Sequence, residues 1–527
     1  MPQLQINQGP QDALLYDNTR SYFTNVGYVR TSNFQMELRD VQPVSNAQFG
    51  SRVDYVIPKF ADLLGPIDLI VDLNPAEAPS TLGAPNVGNY SAWVESLGYA
   101  MIEEMSFMIG SHTVEKITGD QMNIMNELMK GDNQRQHKLI GKTGRSAITL
   151  DVDETSSPTA ADATTTPPTV ASWPTNTYTL NDSSKDRLIT SGTNVSPKKQ
   201  LIIPLSFFFT KHPSQYFPLC AIAGCNDVRV SIKFRALNEL LIIGKHNYIT
   251  TTAAGSKKSK LAMVDVSSPL QSVASAVHPL PKFSKAIEAA QLRCHYVHVT
   301  GPEATTLMNK EHVRLMKLWH HQPTTFKVNH TAAGKESSFE INLGFLHPVQ
   351  ELIITVRKRG NMTSSTEPGT IPNLVDQGAT TKNYFAYEGG GSDPNIESHL
   401  QKIKAHGTHQ ATSTKTANYL DVKNFKLSLN GQERHPSLAG TGIERGYLMD
   451  RLMPMLHSNT SETFTSASVT DAGHDASATF AHLGEMLDRK EIYVYPFALN
   501  PEGANPSGAV NFSKVSHAKL TIDYTAF

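Results

Sequence analysis

Apolar and polar side chains alternate with a period of two residues along much of the chain. In residues 227–235, four apolar side chains alternate with charged or hydroxyl-bearing ones. Because successive side chains of a strand point to opposite faces, this segment predicts a strand with one face in a core. Residues 201–209 and 352–356 are apolar on both faces, which is typical of central strands in a sandwich. The same alternation recurs in residues 339–345, 425–429 and 518–524.

Turn and helix signals are fewer and more local. The dipeptide Asn430-Gly431 between two apolar runs predicts a tight β-hairpin. Methionine and leucine side chains recur at helical spacing in residues 120–130, and we interpret this stripe as core packing rather than a cofactor site. A Gly-Pro pair opens a second predicted helix across residues 303–319.

Three long stretches rich in small and polar residues, 141–200, 250–284 and 360–417, predict surface loops. Many short antiparallel strands joined by Gly and Pro turns predict sandwiches or barrels. We therefore expect an all-β fold of two consecutive eight-stranded antiparallel jelly rolls, with long loop insertions and a few short helices. The expected divisions are an N-terminal arm (1–21), a first jelly roll (22–245, long loop about 141–200), a linker (246–288) and a second jelly roll (289–527, long loop about 360–420).

Composition narrows the possible functions. The 527 residues include 47 Lys and Arg and 48 Asp and Glu, for a formal net charge of −1. This balance argues against a dedicated nucleic-acid-binding protein, which would be strongly basic. Three cysteines cannot form a disulfide framework and predict buried thiols in a reducing compartment. The N-terminus has no leader-like pattern, and the most apolar run, 201–209, is too short to span a membrane.

Clusters that could carry chemistry each have a structural explanation that we favour, so no catalytic, cofactor-binding or metal-binding residue is expected. Gly141-Lys142-Thr143 lacks the earlier glycine of a phosphate-binding loop, because position 136 is Gln. Adjacent Glu103 and Glu104 on a strand cannot form a catalytic pair. Other candidates that we interpret as surface histidines or buried thiols are His320, His321, His406, His409, Cys220, Cys225 and Cys294.

Two basic clusters, residues 357–359 and 257–260, are small and lack interleaved aromatic residues. We interpret both as solvated turns rather than phosphate-binding patches. Asn-x-Ser/Thr sequences occur as well, and without a leader peptide we expect the secretory machinery not to use them. They begin at Asn89, Asn181, Asn194, Asn329, Asn361, Asn459 and Asn511.

Several motifs, which follow one another in order over most of the chain, resemble those of one protein family. In the first half they are residues 8–15, 22–34, 97–104, 203–209, 217–219 and 228–230. In the second half they are HPVQEL at 347–352, LNGQER at 429–434, YVYPFALNPE at 493–502 and PSGAVNFS at 506–513. Together these segments resemble the double jelly-roll major capsid proteins of nucleocytoplasmic large DNA viruses of the iridovirus, algal virus and giant virus types. Residues 141–200 and 360–420 match no part of that pattern, and Pro496 stands where the family often has Ser.

The resemblance implies a structural, non-enzymatic protein of the virion, assembled in the host cytoplasm. It implies homotrimeric, pseudo-hexagonal capsomers that tile an icosahedral shell around double-stranded DNA, with the long loops as outer towers. The implied partners are neighbouring capsomers, minor capsid and penton proteins and internal membrane-associated proteins, with no direct nucleic-acid binding. Within the motifs, we expect Phe512 to lie in a core and Gly431 and Gly508 to adopt positive φ.

Two other functions fit a jelly roll. One is carbohydrate binding, as in a lectin or lyase, although only 3 Trp and 8% aromatic residues give little support for a glycan site. The other is an internal viral scaffold protein of the same fold, which the sequence alone does not separate from a capsid protein.

Overall fold

The fold is described by a computed structural model of the chain, in which most elements are strands. None of its helices, within the ranges described, has the length and hydrophobicity needed to cross a membrane. The described residues are 33–77, 89–128, 138–142, 150–152, 178–180, 188–191, 194–195, 197–222, 224, 227–245, 283–311, 313, 315–326, 336–357, 384–385, 387, 420–435, 441–457, 491–503 and 505–526.

The elements are numbered in chain order. The strands are β1 (Phe34–Val41), β2 (Arg52–Ile57), β3 (Leu63–Leu73), β4 (Asn89–Trp93), β5 (Ile102–Ile109), β6 (His112–Thr118), β7 (Leu150–Val152), β8 (Tyr178–Leu180), β9 (Leu188–Ser191), β10 (Asn194–Val195), β11 (Lys199–Leu205), β12 (Phe217–Pro218), β13 (Val228–Phe234), β14 (Leu241–Lys245), β15 (Ile287–Val299), β16 (Glu336–Asn342), β17 (Pro348–Val349), β18 (Glu351–Thr355), β19 (Leu420–Leu429), β20 (Gln432–Glu433), β21 (Ile443–Glu444), β22 (Ile492–Pro496), β23 (Val510–Asn511) and β24 (Ala518–Ala526). The helices are α1 (Leu97–Ala100), α2 (Gly119–Leu128), α3 (Gly301–Asn309) and α4 (Met453–Leu456), with a π-helix at Tyr447–Leu452.

The first half contains two facing antiparallel sheets. One has the strand order β1-β15-β3-β11, with β12 added beside β3, and the other has the order β2-β13-β5-β6. The Tyr55 hydroxyl on β2 donates a hydrogen bond across to the Ala290 carbonyl on β15, at 3.3 Å. The four alternating apolar side chains of β13 are completely buried, as the sequence predicts. This pair of four-stranded layers is a jelly roll, and it confirms the predicted all-β fold class.

Strand β15 differs from the predicted division of the chain. The sequence predicts that residue 289 opens the second jelly roll, whereas Ile287–Val299 lies between β1 and β3 in the sheet of the first roll. Strand β15 has thirteen residues and pairs with a strand on each side. Its alternate side chains, including Leu292, Cys294 and Tyr296, are buried. Strand β15 thus belongs to the same sheet as β1, β3 and β11.

The second half repeats the antiparallel architecture. Strands β16, β24, β19 and β20 form one sheet in that order, and β21 also pairs with β19; β18 pairs with β22, and β17 with β23. The hairpin between β19 and β20 turns at Asn430 (φ 53°) and Gly431 (φ 80°). Positive φ at both turn positions is the geometry that an Asn-Gly dipeptide favours, so the predicted hairpin is confirmed.

Helix α2 forms where the methionine stripe predicts it, and Met122, Met125 and Leu128 are buried in the core. The prediction of a helix across 303–319 is wrong beyond Asn309, where α3 ends. Beyond this helix, the Trp319 side chain packs against the core, and the Lys317 ammonium donates a hydrogen bond to the Pro501 carbonyl.

Buried side chains of both halves form one continuous hydrophobic cluster, which joins core residues of β13 and β15 to Phe425, Tyr493 and Ile522. A second, smaller cluster lies around Phe512. Because the larger cluster extends through both rolls, the two lobes are packed into one block.

Candidate functional site

Several of the residues singled out as candidates for chemistry form structural contacts. Among the described residues, no group of three or more His, Cys, Asp or Glu side chains is placed to hold a metal ion. Lys142 forms a buried ion pair with Glu127 at 2.8 Å, so it is a packing residue and not part of a phosphate-binding loop. Glu103 and Glu104 bind different cations, Lys233 and Lys116 respectively.

The candidate cysteines and histidines that the structure describes form no metal-binding cluster. Cys294 is buried in β15, and burial raises the pKa of its thiol to about 12, which makes it a poor nucleophile. Cys220 is half-buried, and His320 and His321 are exposed on the surface. The other candidates, Cys225, His406, His409 and the basic cluster 257–260, lie outside the described residues.

The lobes meet at a buried ion pair between Arg357, which follows β18, and Asp120, at the start of α2. Their nitrogen–oxygen distance is 2.8 Å, and the two side chains are only 11% and 16% exposed. The interpretation of Arg357 as part of a solvated turn is therefore wrong. An ion pair with this little exposure must be matched by further hydrogen bonds, because its charges have lost their water.

Two tyrosines supply those further hydrogen bonds. The Tyr387 hydroxyl donates to the same Asp120 oxygen at 2.9 Å, and Arg357 also donates to the Tyr384 carbonyl at 2.7 Å. The Tyr384 hydroxyl reaches the first lobe, where it donates to the Glu239 carbonyl at 2.9 Å. Both tyrosines are buried, and burial raises the pKa of Tyr387 well above its usual value. These contacts define the lobe junction: Asp120, Glu239, Arg357, Tyr384 and Tyr387.

A second polar group surrounds His457, the residue after α4. Its two ring nitrogens lie 2.7 Å from a Glu351 oxygen and 2.8 Å from a Glu502 oxygen. Burial alone would lower the pKa of His457, but hydrogen bonds to both carboxylates and their charges outweigh it and raise the pKa to about 9. The imidazole is therefore a cation at neutral pH that joins β18 to the segment after β22.

Charges of the first lobe face this group. Burial raises the pKa of Glu115 on β6 to about 7, although its carboxylate accepts a hydrogen bond from the Phe208 amide at 2.9 Å. Desolvation lowers the pKa of Lys211, while the negative charges of Glu115, Glu351 and Glu502 oppose that change.

The motif around Phe512 has the structural roles that the sequence predicts. Phe512 is 2% exposed, and Gly508 adopts a φ of 129°. The Asn511 side-chain oxygen accepts a hydrogen bond from the Ser513 amide at 3.0 Å, and the Ser513 hydroxyl accepts one from the His347 amide at 2.8 Å. This loop therefore satisfies its own backbone groups while it places an aromatic ring in the core.

Comparisons with known proteins agree with this architecture. A sequence model of a protein family, described as the N-terminus of the major capsid protein, matches residues 21–277. The major capsid protein of Phaeocystis pouchetii virus is 23% identical over 98% of this chain and 91% of its own length. Among solved structures, the Faustovirus major capsid protein superposes with a TM-score of 0.54 at 12% identity, over 96% of this chain and 89% of that one. A quasi-atomic model of the PBCV-1 virus capsid gives a TM-score of 0.52 at 16% identity, over 95% of this chain and 87% of that one.

The paired sheets and these structural matches define the class as the double jelly-roll capsid fold. The described residues form a packed block with buried polar links, as a structural subunit requires. Within that class, the chain is similar in sequence to major capsid proteins: the family model matches nearly half of it, and the Phaeocystis pouchetii virus protein aligns along nearly all of it.

Sequence reasoning missed both the Arg357–Asp120 ion pair and the polar group around His457. Nothing adjacent to Arg357 or His457 distinguishes them from surface residues, because their partners lie far away in the chain: Asp120 for the first, and Glu351 and Glu502 for the second. The usable signal was the position of Arg357 shortly after β18, whose central residues 352–354 are apolar, where a charged side chain can fold back onto a neighbouring element.

Proposed function

We propose that this chain is a capsid protein that assembles into homotrimers with a pseudo-hexagonal outline, and that these capsomers tile an icosahedral shell. The observation that carries the proposal is the continuous core shared by both lobes, together with the lobe junction. A chain with two rigid lobes that repeats around a three-fold axis presents six lobes, and six similar lobes form a hexagonal tile. The near-zero net charge allows many copies to pack edge to edge without long-range repulsion.

The same proposal specifies which proteins the capsomers contact. Capsomers contact neighbouring capsomers at their edges, minor capsid and penton proteins at the joints of the lattice, and internal membrane-associated proteins on the inner side. Direct binding of nucleic acid is not part of this function. We place the end of the first jelly roll at Val299, since β15 completes its sheet, and the start of the second after that strand.

Size-exclusion chromatography with light scattering tests the trimer. The expected mass is about three times the chain mass of 57.8 kDa, and it should persist on dilution because obligate interfaces are large. A monomer at all concentrations would contradict the proposal. A monomer that also binds a glycan array would favour the carbohydrate-binding alternative.

A further inference from the structure

Part of the stretch 360–417, which the sequence predicts to be a surface loop, is buried. Tyr384, Phe385 and Tyr387 lie between β18 and β19 in the chain and are only 5%, 2% and 4% exposed. All three rings belong to the hydrophobic cluster that extends through both lobes. We call these three residues the strap.

The side chains of the strap bind the first lobe. The Tyr384 hydroxyl donates a hydrogen bond to the Glu239 carbonyl at 2.9 Å. The Tyr387 hydroxyl donates to an Asp120 oxygen at 2.9 Å and accepts from the Asn123 side-chain amide at 3.3 Å. A buried tyrosine needs a partner for its hydroxyl, and both hydroxyls of the strap have theirs on the first lobe.

A cation of the first lobe lies against one of these rings. The guanidinium carbon of Arg235 is 4.5 Å from the centre of the Tyr384 ring. Arg235 directly follows β13, and its Nε donates a hydrogen bond to the Ala100 carbonyl at 3.0 Å. This hydrogen bond fixes the guanidinium on the first lobe, where its attraction to the aromatic ring adds to the binding of the strap.

The backbone of the strap belongs to the second lobe. The Tyr384 carbonyl accepts a hydrogen bond at 2.7 Å from Arg357, which lies shortly after β18. The chain on the other side of the strap leads to β19, in the largest sheet described for that lobe. The strap is therefore a part of the second lobe whose side chains are buried against the first.

Few other contacts join the lobes. Among the described residues, no helix or strand from β16 onward lies extensively against one between β1 and β15. The hydrogen bonds described between these two parts all involve Arg357, Tyr384 or Tyr387. Domains of one chain move and unfold separately unless the contacts between them are extensive or specific.

We propose that the strap couples the two lobes, so that neither lobe unfolds without the other, and that it holds them in one relative orientation. The inference concerns the single chain and goes beyond the proposed assembly. It also supplies a property that a tile of fixed outline requires, because lobes that turned against each other would change the shape of the tile.

Two of the tryptophans report on the lobes separately. Trp93 is 4% exposed at the end of β4 in the first lobe. Trp319 follows Lys317, whose ammonium is bound to the Pro501 carbonyl of the second lobe. One reporter chain keeps Trp93 (Trp173→Phe/Trp319→Phe), and the other keeps Trp319 (Trp93→Phe/Trp173→Phe). In guanidinium titrations followed by tryptophan fluorescence, the two unfolding curves should coincide when the strap is intact.

Truncation of the strap should separate the two curves. In Tyr384→Ala/Tyr387→Ala, the Trp319 transition should move to lower guanidinium by about 0.5 M or more. The Trp93 transition should stay closer to its original midpoint, because the two facing sheets of the first lobe remain intact. The milder variant Tyr384→Phe/Tyr387→Phe keeps both rings and removes only the hydroxyl hydrogen bonds, so it should give a smaller separation.

A matched control distinguishes coupling from simple destabilisation. Phe512→Ala removes a buried ring whose aromatic neighbours, Phe345 and Phe497, lie in the second lobe. With the strap intact, this control should move both curves to lower guanidinium together. Curves that still coincide in the strap variants would overturn the proposal, as would curves that are already separate with an intact strap. Should the alanine variant fail to fold, the phenylalanine variant decides by the same criterion. A wild-type monomer whose two curves coincide would contradict the homotrimer and leave the strap in place.

Discussion

Replacing Phe512 with alanine tests how the second lobe is held together. The ring is 2% exposed and lies edge-on to Phe497 and Phe345, with centroid distances of 6.0 and 6.4 Å. Phe-to-Ala changes in cores cost about 3–5 kcal/mol, and each aromatic contact contributes about 0.5–1.5 kcal/mol of that loss. The ring lies among four other buried side chains and seven partly buried apolar ones, so its removal leaves a cavity lined by many apolar groups. We therefore expect a loss within this range.

Guanidinium unfolding followed by tyrosine and tryptophan fluorescence measures that loss. Phe512→Ala should move the midpoint of the transition to lower denaturant without changing its slope. The control Leu499→Ala removes a side chain that is 86% exposed and should change the free energy of unfolding by less than about 0.5 kcal/mol. A folded Phe512→Ala protein with the wild-type midpoint would refute the assignment of this ring to the core.

Four further predictions concern the junction, the pH dependence at two sites and the hairpin. Arg357→Met leaves the Asp120 carboxylate without its cation in a site where both side chains are largely buried. The free energy of unfolding, measured by denaturant titration, should therefore fall by about 3–5 kcal/mol. A wild-type free energy of unfolding would contradict the buried ion pair. The pKa of His457 is raised from 6.5 to about 9, so the charged imidazole stabilises the folded protein by about 3 kcal/mol below pH 6.5, and this contribution is lost as the pH rises towards 9. Thermal melts of His457→Gln should therefore show melting temperatures that depend less on pH across that window. An unchanged pH dependence would refute this role of His457. Burial raises the pKa of Glu115 from 4.5 to about 7, so this carboxyl destabilises the folded protein as the pH rises from 4.5 towards 7. Glu115→Gln should remove this loss of stability from the thermal melts. If the loss persists in the variant, the Glu115 carboxyl is not its cause. Gly431→Val forces a β-branched residue to a φ of +80° and should cost about 1–2 kcal/mol in the same melts, and no loss would contradict the turn geometry.

The elements that the sequence predicts well are those governed by neighbours in the chain. Alternation alone identifies β13 because each of its apolar side chains meets the same core, and four of them are completely buried. The Asn430-Gly431 turn is encoded by the backbone preferences of two residues. Helix α2 follows from the spacing of its methionines, because one face of a helix is enough to anchor it to a core.

The features that sequence reasoning missed depend on distant partners. Strand β15 pairs with β1, more than 240 residues earlier in the chain, and no local pattern shows which of two similar sheets a strand joins. Residues 303–319 have apolar spacing compatible with one helix, but α3 ends at Asn309, and Lys317 and Trp319 instead contact the Pro501 carbonyl and the core. Arg357 looks like a surface residue until Asp120 approaches it from another element.

Electron microscopy of the purified, concentrated protein tests most directly whether this chain assembles into trimeric capsomers that tile a surface. The account predicts flat particles of hexagonal outline with three-fold symmetry, each containing six lobes, which associate edge to edge into ordered arrays. A field of separate two-lobed particles, with neither rings of three nor arrays at any concentration, would contradict it.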